Sequence, residues 1–252
     1  MNLKRLEENT LIPLFYAGPY LKEGPLPTVL YLALSAEESL MTDPFNQPVS
    51  ILVNRGIRVF SCDLPFHGKD FDSREALAGW AHAFAQGKDI VSEFLVNLKA
   101  SLSRLISLGV VANNTIGCMG VSRGGFLISH LAARMEEITT LLHFAPLTQI
   151  TEGKDFSFLE LSPLLQNLNL TNFSYLLHAK TQRIYIGNRD TRVGTSSCFN
   201  WISSLVETAH ENGIRSPHIE LFIKPSIGHM GHGTSKESFE QGALWLAEQM
   251  TK

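Results

Sequence analysis

Short apolar runs recur along the chain, each closed by small or turn-forming residues and followed by a longer segment with helical spacing. The runs are residues 28–33 (TVLYLA), 57–62 (IRVFSC), 115–121 (TIGCMGV), 139–145 (TTLLHFA), 183–187 (RIYIG) and 218–223 (HIELFI). Several are apolar at nearly every position, as strands of a parallel sheet covered on both faces should be. Residues 75–108 are mostly helix-compatible, with Leu95, Leu98, Leu102, Leu105 and Ile106 near a 3.6-residue period. Residues 123–136, 195–211 and 235–250 read as further helices, the last with Phe239, Ala243, Leu246 and Met250 as its inward stripe. This alternation predicts right-handed crossovers and an α/β domain, a mostly parallel central sheet with helices on both faces. Residues 11–16 are candidates for one or two edge strands, limited by Pro13 and Pro19.

Two segments interrupt the alternation. Residues 35–50 read as a loop with a short helix. Residues 147–179 exceed what a plain crossover needs and contain two short amphipathic stretches, so they are either a small lid over a site or a crossover helix with a long approach. The length of 252 residues then fits a single domain, 1–252. Composition narrows the function classes. Lysine and arginine number 21 against 24 acidic residues, for a net charge of −3, so nucleic acid is not an expected partner. No run approaches the roughly 18 apolar residues of a membrane span, and the first ten residues, MNLKRLEENT, contain no apolar signal core. Cys62, Cys118 and Cys198 are odd in number and lack C-x-x-C spacing, which fits reduced thiols and an expected cytoplasmic location.

The sharpest chemical signal is Gly120-Val121-Ser122-Arg123-Gly124, which matches G-x-S-x-G between a buried strand and a helix. In such an elbow the serine takes a strained backbone conformation, and its hydroxyl stands at the carboxyl end of the strand. The following N–H, here that of Arg123, faces the developing oxyanion. A serine needs a base and an orienting acid. Asp190, in the turn after residues 183–187, and His229, in the loop after residues 218–223, follow in the order Ser, Asp, His at one edge of a parallel sheet. His232 is the alternative base, with Gly228 and the shorter distance from the strand favouring His229. Asp63 reads as a turn residue and His67 as a loop-holding residue. His229, His232 and a nearby aspartate do not make a metal site, because a third ligand at suitable spacing is missing.

With these residues in place the chain resembles the α/β-hydrolases, in the branch of dienelactone-hydrolase-like and prolyl-oligopeptidase-like enzymes, over roughly residues 28–252. The resemblance includes residues 62–68 (CDLPFHG), similar to the D-x-P-G-H-G turn of that family, and residues 187–193 and 228–229, similar to its acid and base segments. It implies Ser122 as nucleophile, Asp190 as acid and His229 as base, with no cofactor. In the family the first core strand ends in His-Gly, and a following backbone N–H completes the oxyanion hole. Leu34, Ser35 and Ala36 stand there instead, so Ser35 or Ala36 is the implied donor.

The expected function is therefore a serine hydrolase, first of all a carboxylesterase, acting on a small-molecule acyl substrate through an acyl-enzyme; thioester and amide cleavage share the mechanism. Phe156, Phe158, Phe173 and Tyr175 either line an acyl pocket or pack on the sheet. The alternative is a catalytically idle domain of the same fold that serves as a binding module. Oligomeric state is open, since no helix shows a heptad seam.

Overall fold

In the computed structural model, which describes residues 2–8 and 10–252, the apolar runs feed two cores on opposite faces of one sheet. The strands are β1 (Lys4–Arg5), β2 (Phe15–Ala17), β3 (Leu26–Leu32), β4 (Arg58–Ser61), β5 (Val111–Val121), β6 (Ile138–Phe144), β7 (Thr181–Gly187) and β8 (Ile219–Lys224). Their spatial order is β1-β2-β4-β3-β5-β6-β7-β8. The pairs β1–β2 and β2–β4 are antiparallel; the remaining pairs are parallel. Alternation along each strand divides the side chains. Val29, Tyr31, Val59, Met119 and Phe144 enter one core, and Leu30, Leu32, Phe60, Cys118 and Ile184 enter the other.

The helices are α1 (Ala36–Met41), α2 (Gln47–Asn54), α3 (Ala76–Ala85), α4 (Ile90–Ser107), α5 (Arg123–Ala132), α6 (Pro163–Asn167), α7 (Ser174–Leu177), α8 (Thr195–Glu211) and α9 (Lys236–Met250). Helices α2 and α9 cover the first core through Val49, Leu52, Phe239 and Leu246. Helices α4, α5 and α8 cover the second through Leu98, Phe126 and Trp201. All ten residues of α5 are buried, because the sheet lies on one side of it and other elements cover the rest. The single long helix expected over residues 75–108 is two. Gly87, at φ +73°, breaks it, and Asp89 restarts it by accepting the Ser92 N–H at 2.9 Å.

Residues 147–179 form a chain of single turns and short helices. Leu165, Leu168, Leu170 and Leu177 are packed into the second core, which a segment lying loosely on the surface would not do. Sheet order supplies the last structural point. From β3 the chain steps outward to β4 and then returns across β3 to β5. Between β3 and β5 the direction of winding reverses, and the carboxyl ends of strands flanking such a reversal leave a crevice for ligands.

Candidate active site

Ser122 sits on that crevice. It follows β5, precedes α5, and holds φ 53° and ψ −116°, a conformation that costs a non-glycine residue about 1–3 kcal/mol. The cost is met by tight packing. A Cβ at Gly124 would lie 1.8 Å from the Leu32 carbonyl oxygen, and one at Gly120 would lie 2.5 Å from the Gly124 backbone. Strand and helix therefore meet at backbone contact, which only glycine permits. The Ser122 N–H donates to the Phe144 carbonyl at 3.0 Å, and its own carbonyl accepts from Leu147 at 3.1 Å. The side chain does not cap α5.

Asp190 follows β7 and is 3% exposed. Its Oδ1 accepts the N–H groups of Arg192 and Val193 at 3.0 and 3.1 Å. The other oxygen, Oδ2, lies 2.7 Å from Nδ1 of His232. A carboxylate can only accept, so Nδ1 carries the hydrogen and Nε2 is left as the basic nitrogen. His232 and Ser122 border the same cavity, of about 300 Å³.

His229, the base expected from sequence, is exposed and is not the partner of Asp190. The reason is the path of the loop after β8. Residues 229–231 form a tight turn with Gly228, Met230 and Gly231 at positive φ. The turn carries the chain back toward β7, where the Met230 carbonyl accepts the Thr191 N–H at 2.9 Å. A Cβ at Gly231 would lie 2.2 Å from the Arg189 carbonyl oxygen, so the two loops touch at that glycine. The next residue, His232, is the one delivered to the carboxylate. Glycines on both sides of His232 were the sequence signal for this close approach.

The expected oxyanion donors are also placed differently. The Ser35 N–H donates to Glu38 Oε2 at 3.1 Å, and the Ala36 N–H donates to Asp63 Oδ1 at 2.8 Å. Ser35 is the N-cap of α1, and Ser35 with Glu38 forms a reciprocal capping box. Both residues border a groove beside Asp63 rather than the Ser122 cavity. Leu34 does border the Ser122 cavity, with its N–H donated to Ser39 Oγ at 3.1 Å. Asp63 thus ties the end of β3 to the loop after β4, in keeping with a turn residue.

No protein-family model matches the sequence, and no curated protein matches it. Solved structures do. A Bacteroides ovatus protein assigned as a dipeptidyl aminopeptidase IV superposes with a TM-score of 0.74 at 14% identity over 98% of this chain; the chain spans 36% of that protein. An esterase from Pyrococcus furiosus gives 0.67 at 17% identity, over 99% of this chain and 92% of the other. A Klebsiella pneumoniae protein assigned as a dienelactone hydrolase gives 0.68 at 15% identity, over 100% and 98%. The chain has the α/β-hydrolase fold.

In this α/β-hydrolase fold the residue after the elbow serine is the buried Arg123. Arg123 is 8% exposed, and its guanidinium lies 5.8 Å from the Trp80 ring centre. Its Nη2 lies 3.3 Å from Nε2 of His67, whose Nδ1 is 3.1 Å from the Pro65 carbonyl. The carbonyl requires a donor, so Nδ1 of His67 bears the hydrogen and Nε2 accepts from the arginine. His67 therefore holds the loop, as its sequence context suggests. Burial, with a smaller contribution from the charge of Arg123, pushes its pKa down. Burial and the neighbouring charge of Arg192 lower the Arg123 guanidinium to about 10.

Of the four aromatics singled out in residues 147–179, Phe156 borders a cavity together with Ser122. Phe158 and Tyr175 are exposed, and Phe173 packs on the His130 ring. Among the described residues no group of three or more His, Cys, Asp or Glu side chains is disposed to hold a metal ion. Among the described residues no helix is long and apolar enough to cross a membrane.

Proposed function

We propose that this chain is a serine hydrolase that cleaves a carboxylic ester through an acyl-enzyme, with Ser122 as nucleophile, His232 as general base and Asp190 as orienting acid. The observation that carries this reading is the Asp190–His232 pair, closed at 2.7 Å and opening on the cavity that holds Ser122. Ser122 Oγ attacks the carbonyl carbon while Nε2 of His232 takes its proton. The imidazolium, steadied by Asp190, then protonates the leaving oxygen. Water, deprotonated by the same nitrogen, attacks the acyl-enzyme and releases the acid and the free serine. The Arg123 N–H, at the positive end of α5, stabilises the oxyanion. Thioesters and amides can follow the same course.

One observation supports a second reading, an idle binding domain. The N–H groups of Ser35 and Ala36 are both engaged within α1 and its surroundings, and a missing oxyanion donor costs about 3–4 kcal/mol of transition-state stabilisation. A fluorophosphonate probe and a series of p-nitrophenyl esters decide between the two. The enzyme reading expects covalent labelling of the wild type, none of Ser122→Ala, and a loss of about 10⁶ in kcat for Ser122→Ala and His232→Ala. His229→Ala is expected to lose less than about tenfold. An unlabelled wild type that turns over no ester supports the binding domain.

A further inference from the structure

Two cavities meet at Ser122, and Arg74 and Lys154 border only the larger of them. The smaller, of about 300 Å³, is walled by apolar groups including Phe45, Val121, Ala145 and Phe239, with Arg123 and Arg192 bordering both cavities. The larger, of about 590 Å³, runs beneath residues 153–156 and is bordered by Arg74, Arg123, Lys154 and Arg192, with Asp155 as its one acid. Four cations against one carboxylate is a marked local excess in a chain whose net charge is −3. Arg74 already has a partner in Asp72 at 2.7 Å. Arg123, Lys154 and Arg192 make no ion pair within 4 Å among the described residues.

Arg123 sharpens the point. Its guanidinium is buried against Trp80, its Nη2 meets only the neutral ring of His67, and its Nη1 is buried with no hydrogen-bond partner. A buried charge without a counter-ion is costly. Asp155 attracts it from a distance but does not bond to it, and Arg192 adds like charge. An incoming carboxylate or phosphate would supply the missing charge and accept from two guanidinium groups, the geometry for which arginine is better suited than lysine.

We propose that the larger cavity receives an anionic group of the substrate, a carboxylate or a phosphate paired with Arg123 and Arg192, while the smaller cavity takes a short apolar group on the other side of the scissile bond. This rests on Ser122 being the attacking group, but its charge selectivity can be measured without turnover. Calorimetric titration with glutarate, inorganic phosphate and uncharged glutaramide is the first arm. At least one anion is expected to bind ten times more tightly than the diamide, and which one does so separates carboxylate from phosphate. Arg192→Gln, on an exposed side chain, is expected to remove most of that preference, and Arg123→Gln the rest.

Hydrolysis is the second arm, comparing phenyl butyrate with the monophenyl ester of glutaric acid and with 4-carboxyphenyl butyrate. One of the anionic esters is expected to exceed the neutral ester at least tenfold in kcat/KM, chiefly through KM, and Arg192→Gln to erase the advantage. Equal binding of anions and diamide, or a preference untouched by both arginine variants, overturns the proposal. Selective anion binding with no ester cleaved and no fluorophosphonate labelling leaves the anion site standing and removes the hydrolase reading instead.

Discussion

Asp190 illustrates how a single side chain can be fully committed by its surroundings. One carboxylate oxygen is held by the N–H groups of Arg192 and Val193 and the other by His232. In Asp190→Asn the two backbone donors keep the amide oxygen on their side, so the amide NH₂ must face the ring. The ring then presents a lone pair at Nδ1 and a hydrogen at Nε2, the wrong tautomer for a base. We expect kcat to fall about 10⁴-fold with little loss of stability, to be checked by steady-state kinetics alongside thermal unfolding. The elbow at Ser122 and the turn that carries Asp190 were legible in the sequence because each is fixed by its own neighbours, the elbow by flanking glycines and the turn by the strand before it. Which histidine meets Asp190 was not, since His229 and His232 lie in one glycine-rich loop and the contact that chooses between them spans 42 positions.

At the scale of elements, most errors of a sequence reading fall at helix ends, where one residue changes the outcome. The break between α3 and α4 depends on Gly87 and on the capping carboxylate of Asp89. Asp89→Ala leaves the Ser92 N–H without its acceptor and is expected to cost about 1 kcal/mol, measured as a shift in the urea midpoint. A second element-level effect bears on the site. Ser35-Ala36-Glu37-Glu38 is a capping-box sequence, legible in the chain, and it commits the Ser35 N–H to α1. The contact of the Ala36 N–H with Asp63, 27 positions away, has no such local signature. Residues 147–179 behave similarly: their amphipathic stretches show in the sequence, whereas the burial of Leu165 and Leu170 depends on α5 and its neighbours being assembled.

The whole molecule stores two uncharged histidines in its second core region. His130 and His143 are buried, and burial is the first cause that lowers each pKa to about 3. The Gly125 backbone approaches the His143 ring without forming a proper hydrogen bond with either nitrogen. In the unfolded chain both would take up a proton as pH falls through about 6.5, while the folded chain resists until about 3. Stability is therefore lost as pH drops through that window, by about 2 kcal/mol per histidine at pH 5 relative to pH 7.5. His143→Leu should remove about half of this loss, as read from urea unfolding at the two values. What the sequence determined by itself was whatever nearest neighbours control: strand and helix alternation, the two-sided burial of the parallel strands, and the strained elbow around Ser122. The tertiary structure decided which histidine reaches Asp190, which backbone N–H groups are spent in capping, and how separate cations gather around one cavity. Those outcomes arise where loops from different strands pack against one another, and packing between distant segments leaves no periodic trace along the chain.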